Sequence, residues 1–478
     1  MVGTMWRQSI LGAFWTTGSQ VCLKILQLVI FVCLARLIAP YTFGVIAFAN
    51  LFFFLLQSLL NGGLTLVIVR APALDHSRIE SIFWMQILIG GTLTACIALT
   101  AEAGMLLFGS TDILRAFLAL SPLGLLYALG GVPYALLLRK MRFKHIAFAS
   151  LLALTAGGCV AIPLAWAGWS LTSLITQYLV YALVALVAYA SFEPWRPRGR
   201  FSLTGIRQDL SFACGSWADI FVRYWSTSID RLLVATLFGP VALGFYDLAQ
   251  RICINTFTVF CSTISSVALP VFAQLQSDLS RTRSAIMTAT PLAYFVAMPI
   301  SILLMLLAPE LIALFFGAQW MPSVPLVRVL ALLGFVYPAT YFLSPLILAF
   351  GKPSWNLFLS LFVLIAMITG MLLTARWSVV AVAWVMVIVN VCAAVPAFLL
   401  ARRFTALSVL PYLRSLLPMG TAGAAMTVAL LLTRPTPDPT HALSLPLVLS
   451  VVTGCAVYLI VALMLSRKMF KSIRALFV

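Results

Sequence analysis

Apolar runs long enough to cross a hydrocarbon core of ~30 Å recur along the whole chain, each closed by a charge, a Pro or a Gly. They fall at about 11–37, 43–69, 81–101, 113–138, 146–167, 169–192, 212–238, 241–271, 285–308, 323–350, 354–375, 377–401, 411–432 and 443–465. This spacing predicts an all-α integral membrane protein of about fourteen transmembrane helices with short connections. The apolar run that follows Arg7 has no small-residue cleavage site, so it reads as an uncleaved first helix.

A repeat is visible when positions 200 apart are laid together: Leu37, Pro40 and Gly44 match Leu237, Pro240 and Gly244, and Ala49 matches Ala249. Six helices separate the copies, so both enter the membrane in the same direction. The expected organisation is therefore a parallel repeat: a six-helix bundle over 1–200, a second over 201–405, and two additional helices with a tail over 406–478. In each copy a Pro beside small residues cannot continue the helix, which predicts tight hairpins at Ile38–Thr42 and Gly239–Ala242.

Charge fixes an expected orientation. Of the 30 Lys and Arg residues, 21 fall in alternate connections and at both termini, including Arg139, Lys140, Arg142 and Lys144 together with Arg196, Arg198 and Arg200. The opposite connections hold only Arg36, Arg115, Arg376 and Arg434. By the positive-inside rule the basic side and both termini are expected to face the cytoplasm. The net charge of +18 thus reflects membrane orientation and gives no support for nucleic-acid binding.

Composition agrees: 63% of residues are hydrophobic, 9% are charged, and mean hydropathy is +1.09. A soluble domain carries about 25% charged residues. The nine Cys are scattered through apolar runs without paired spacing, as small buried hydrophobes are. His76, His145 and His441 lie in separate loops, so no metal cluster is expected, and no cofactor. A phosphate-binding Gly-rich loop is missing from the sequence, so any pumping is expected to draw on an ion gradient or a partner.

The chemistry that remains is inside the apolar runs, where a Lys or Arg at mid-membrane costs about 2.5–3.5 kcal/mol on insertion scales. Lys24 lies at the middle of helix 1 with Thr17, Gln20 and Gln27 at helical steps around it. Helix 2 carries Asn50, Gln57 and Asn61; helix 7 carries Asp219, Arg223, Ser226 and Asp230; helix 8 carries Asp247, Arg251, Asn255, Thr258 and Ser262. These four stripes are expected to line an aqueous cavity whose cations attract an anion such as pyrophosphate. The competing reading makes Asp219 with Arg223, and Asp247 with Arg251, plain helical ion pairs. Lys24 has no acid within four residues, whereas Arg36, Arg231 and Arg328 sit where snorkelling is easy.

Leu34-Ala35-Arg36-Leu37-Ile38-Ala39-Pro40 with Phe43-Gly44, the basic Leu138–Lys144 loop, and Asp230 ahead of Gly239-Pro240 and Leu243-Gly244-Phe245-Tyr246 resemble the Wzx-type polysaccharide transporters. These belong to the multidrug, oligosaccharidyl-lipid and polysaccharide exporter superfamily. The resemblance implies a V-shaped pair of six-helix bundles and no enzymatic chemistry. It implies outward flipping of undecaprenyl-diphosphate-linked oligosaccharide by alternating access, beside a polysaccharide polymerase and export machinery. Lys24, Arg223 and Arg251 would then hold the diphosphate; Gln20, Gln27, Gln57, Asn61 and Asn255 would meet the sugars. Asp219 and Asp247 would couple to H⁺ or Na⁺. A peptidoglycan-precursor flippase, a multidrug exporter of the same superfamily and, more remotely, a membrane polymerase or ligase are the alternatives. Five bases against three acids inside the apolar runs favour an anionic lipid over a cationic drug.

Overall fold

The computed structural model describes the backbone from 2 to 466 except for residues 72–74, 199–205, 275–277, 341–342, 375, 406 and 434–444. Within the helices, side chains are described outside 2–17, 19–20, 103, 107, 206–212, 259–274, 344, 348, 353 and 404. Among the described residues every regular element is helical. In chain order these are α1 (Val2–Leu37), α2 (Pro40–Gly62), α3 (Leu64–Arg70), α4 (His76–Phe108), α5 (Thr111–Leu120), α6 (Pro122–Arg139), α7 (Phe143–Trp166), α8 (Ser170–Phe192) and α9 (Ile206–Gln274). There follow α10 (Leu279–Leu306), α11 (Ala308–Phe315), α12 (Val324–Ala331), α13 (Tyr337–Thr340), α14 (Leu343–Ala349), α15 (Pro353–Thr374), α16 (Val379–Thr405), α17 (Val409–Thr433) and α18 (Leu445–Leu465).

Twelve stretches of the described residues are long and apolar enough to cross a membrane. One of them, Ala213–Thr258, has 46 residues, about twice what a crossing needs. It folds at Gly239, whose φ of +82° and ψ of 176° break the α9 helix into two limbs. A left-handed φ is open to glycine at no steric cost, and Pro240 then starts the second limb as Pro40 starts α2. The described residues thus form the all-α membrane architecture read from the sequence, with twelve such stretches, one of them folded in two, and the helix α1 ahead of them.

Three runs that read as continuous are broken. Gly63, at φ −93° and ψ −87°, separates α2 from α3 within one span. Pro122 begins α6 at the end of α5, because its ring cannot supply the N–H a continuing helix needs. The run at 323–350 is divided among α12, a 3-10 turn Leu332–Phe335, α13 and α14.

The chain forms two compact units, Met1–Gly244 and Phe245–Val478. In the first, α7 buries a stripe of five small residues at four-residue spacing, Ala149, Ala153, Gly157, Ala161 and Ala165, and α8 buries Ala182, Ala185 and Ala188. Small residues let membrane helices approach closely where lipid removes the hydrophobic drive. Large aliphatics such as Leu183 and Val187 remain on the outer surface of α8. The first limb of α9 runs antiparallel along α2: the Trp217 indole N–H donates to the Leu59 carbonyl at 2.8 Å, and the Tyr224 hydroxyl donates to the Leu51 carbonyl. At the far end of this seam the repeat-related turns meet backbone to backbone at Gly44 and Gly244.

In the second unit Tyr458 of α18 is buried among Tyr294, Ile302, Met419, Ala422 and Met426, and its hydroxyl donates to the Phe295 carbonyl at 3.0 Å. That bond ties the last helix to α10. A second cluster joins α10, α14 and α16 through Ile286, Ala293, Leu346 and Ala397.

Candidate functional site

In the first unit, Lys24 and Gln27 project from α1 with exposed side chains, while Gln57 and Asn61 are half-buried on α2. The Gln20 side chain lies outside the described residues. Asn50, one turn from Phe54 on α2, is 2% exposed, and neither of its amide atoms makes a hydrogen bond among the described residues. A buried amide in that state is expensive unless water or a ligand meets it. On the first limb of α9 the Asp219 carboxylate accepts from Arg223 at 2.5 Å, with both side chains about half exposed.

In the second unit the Asp247 carboxylate accepts from the Arg251 Nε at 2.6 Å, but here the acid is only 5% exposed and the Arg 25%. Asn255, one turn on, is exposed. The two ion pairs look alike in the sequence and differ in the fold. The Asp247–Arg251 pair is held in low dielectric, where each charge needs the other. The Asp219–Arg223 pair keeps Arg223 accessible to an anion. The three expected phosphate cations are thus distributed with Lys24 and Arg223 in one unit and Arg251 in the other.

The basic connection between α6 and α7 does more than carry charge. Arg139 donates one guanidinium nitrogen to the Ile68 carbonyl at 2.8 Å and to the Ala71 carbonyl at 2.5 Å, satisfying the end of α3. Lys140 and Arg142 converge on Glu193 at 2.5 and 3.8 Å. Glu80 on α4, 1% exposed, accepts the Arg198 backbone N–H at 2.6 Å, and the Trp195 ring stacks on His76 with centroids 5.8 Å apart. The segment leading from α8 towards α9 is therefore pinned to α4 and α6. The acid partners lie far from their bases in sequence, so no local spacing announces them.

A set of half-buried tyrosines was also absent from the sequence reading: Tyr127 and Tyr134 on α6, and Tyr178, Tyr181 and Tyr189 on α8. Their seven- and three-residue steps do signal one face per helix, but only the fold shows that the two faces converge.

The model of a family described as "Polysaccharide biosynthesis protein" matches residues 33–325. The chain belongs to that polysaccharide biosynthesis family. It is 27% identical to the succinoglycan biosynthesis transport protein ExoT of Rhizobium meliloti (strain 1021), over 65% of this chain and 63% of that protein. It is 23% identical to the lipopolysaccharide biosynthesis protein WzxC of Escherichia coli (strain K12), over 68% of this chain and 67% of that one. The chain thus spans a little under two thirds of ExoT's own length. Among solved structures, the lipid II flippase MurJ in an inward closed conformation superposes with a TM-score of 0.79 at 16% identity, covering 95% of this chain and 99% of that one. The polysaccharide biosynthesis family therefore has, in this member, the fold of that flippase, and the resemblance read from Pro40, Gly44 and the Leu138–Lys144 loop holds.

Proposed function

We propose that this member of the polysaccharide biosynthesis family is a flippase for undecaprenyl-diphosphate-linked oligosaccharide. It would move the lipid from the cytoplasmic to the outer leaflet of a bacterial inner membrane, with both termini cytoplasmic, for exopolysaccharide, capsule or O-antigen assembly. The observation that carries the reading is the pair of cations at mid-helix in the first unit, Lys24 on α1 and Arg223 on α9, both with exposed side chains. Cations at that depth are tolerated where they meet an anion or water, and a diphosphate carried on a polyprenyl chain supplies the anion at that depth. The names of ExoT and WzxC support a glycan cargo. Alternating access coupled to H⁺ or Na⁺ through Asp219 or Asp247 would supply the driving force, and a polymerase with its export machinery would take the product.

The test is translocation of fluorescent lipid-linked oligosaccharide in proteoliposomes. Wild type should move it and Lys24→Ala should lose most of the rate. Equal rates would remove Lys24 from the mechanism, and no movement by wild type under either ion gradient would reject the flippase reading. Translocation of lipid II alone, without the surface-polysaccharide precursor, would reassign the cargo to peptidoglycan.

A further inference from the structure

The five tyrosines of α6 and α8 form one face in the first unit. Tyr134 and Tyr189 meet with ring centroids 5.4 Å apart, and Tyr127, seven residues before Tyr134, and Tyr178 and Tyr181, eleven and eight before Tyr189, lie on the same helix faces. Tyr178 packs edge-on against Phe54 of α2 at 6.1 Å. Gln57 and Asn61, three and seven residues beyond Phe54, follow on the same side of α2 at helical spacing. On α7, the Ser150 hydroxyl gives its proton to the Ile146 carbonyl at 2.9 Å, so at 3.4 Å it is the acceptor for the Tyr189 hydroxyl. From Tyr178 to Tyr189 the face extends about 16 Å along α8.

Two features decide what such a face can bind. Its side chains, Phe54, Gln57, Asn61, Ser150 and the five tyrosines, carry no charge, so they offer nothing to a diphosphate that Lys24 and Arg223 do not offer better. They are also the wrong surface for a polyprenyl tail, which α8 serves on its other side with the exposed aliphatics Leu183 and Val187. Flat rings that take the C–H side of a pyranose, set among hydroxyls and amides that take its O–H groups, match an uncharged or weakly charged sugar chain.

Resting on the flippase reading, we infer that the α2/α6/α8 tyrosine face is the glycan subsite: it binds the oligosaccharide part of the cargo, separately from the cations that bind the diphosphate. Tyr178 and Tyr181 are the specificity-determining rings. Tyr134 and Tyr189 hold each other and Ser150, and so position the face.

The test measures binding to the full-length purified chain in nanodiscs with two probes. One is the lipid-linked oligosaccharide extracted from the cells that natively make the protein; the other is undecaprenyl diphosphate without sugar. Tyr178→Leu and Tyr181→Leu should each weaken the first probe about five- to tenfold, the worth of one aromatic contact. The same variants should leave the second probe unchanged. Tyr181→Phe, which keeps the ring, should retain most of the affinity and guards against a folding defect. Equal weakening of both probes, or of neither, overturns the glycan subsite while leaving the flippase reading in place. If wild type binds the two probes alike, the subsite is again rejected; if it binds neither, both readings fall together.

Discussion

Gly44 and Gly244, 200 positions apart, occupy each other's side-chain space: a Cβ on Gly44 would lie 1.7 Å from the Pro240 carbonyl oxygen, and one on Gly244 would lie 2.1 Å from that of Pro40. The reciprocity is what a local two-fold relation between repeated turns produces. In both cases the obstructing atom is backbone at the start of a helix, which cannot swing aside as a side chain can.

Gly44→Ala and Gly244→Ala should therefore each cost about 1–3 kcal/mol, the range for forcing extra volume into a packed contact. Gly420→Ala, where a Cβ meets nothing within 4 Å, is the control and should be neutral. Thermal unfolding in detergent separates the two outcomes, and equal midpoints for all three variants would show that the turns do not stay in contact.

The two helical ion pairs should behave differently when the acid is removed. Asp247→Ala leaves Arg251 without its buried carboxylate and should cost about 3–5 kcal/mol. Asp219→Ala, in a half-exposed pair, should cost no more than about 1 kcal/mol. Denaturant unfolding of the two variants measures the contrast, and a larger loss for Asp219→Ala would reverse the structural assignment.

Arg139 is expected to resist conservative replacement. A Lys at this position keeps the charge but not the planar amino group whose two hydrogens meet the Ile68 and Ala71 carbonyls, and should cost about 1.5–3 kcal/mol. Hydrogen exchange should then quicken at the end of α3 and little elsewhere. Unchanged protection there would mean that the Ile68 and Ala71 carbonyls find other donors.

The start of α10 should be acid-sensitive. The Ser280 hydroxyl and the Arg281 and Ser280 amides hold the Asp278 carboxyl below its ordinary value. A depressed folded-state value stabilises at every pH above the ordinary one, and the gain disappears as pH falls through the depressed value. Protection of the Ser280 and Arg281 amides, measured against their unfolded exchange rates at the same pH, should therefore fall on acidification in wild type. In Asp278→Ala that protection should be low at every pH, and a wild-type protection factor that does not change with pH would exclude the cap.

Much of this fold was legible because membrane crossing imposes one period and one length on every element. The Pro40 and Pro240 starts, the Gly239 break and the i,i+4 pairs are all local, and local spacing reveals them. The break at Gly63 was not legible, since a glycine inside an apolar run also suits an unbroken helix. Glu193 could not be matched to Lys140, 53 positions away, nor could Tyr134 be matched to Tyr189, until α6 and α8 were seen side by side. The spacing of the four polar stripes placed Asp219 beside Arg223 and Asp247 beside Arg251, but could not show that Asp247 is buried and Asp219 is half exposed.

Gly63 also links two distant positions in inheritance. A Cβ there would fall 1.9 Å from the Trp217 indole nitrogen, the group that bonds the Leu59 carbonyl. Neither residue can drift alone. A side chain at 63 evicts the indole, and a smaller residue at 217 removes the reason for glycine. Among descendants of this sequence the two positions should covary, so a lineage that has lost the tryptophan is where an alanine or serine at 63 would first be found.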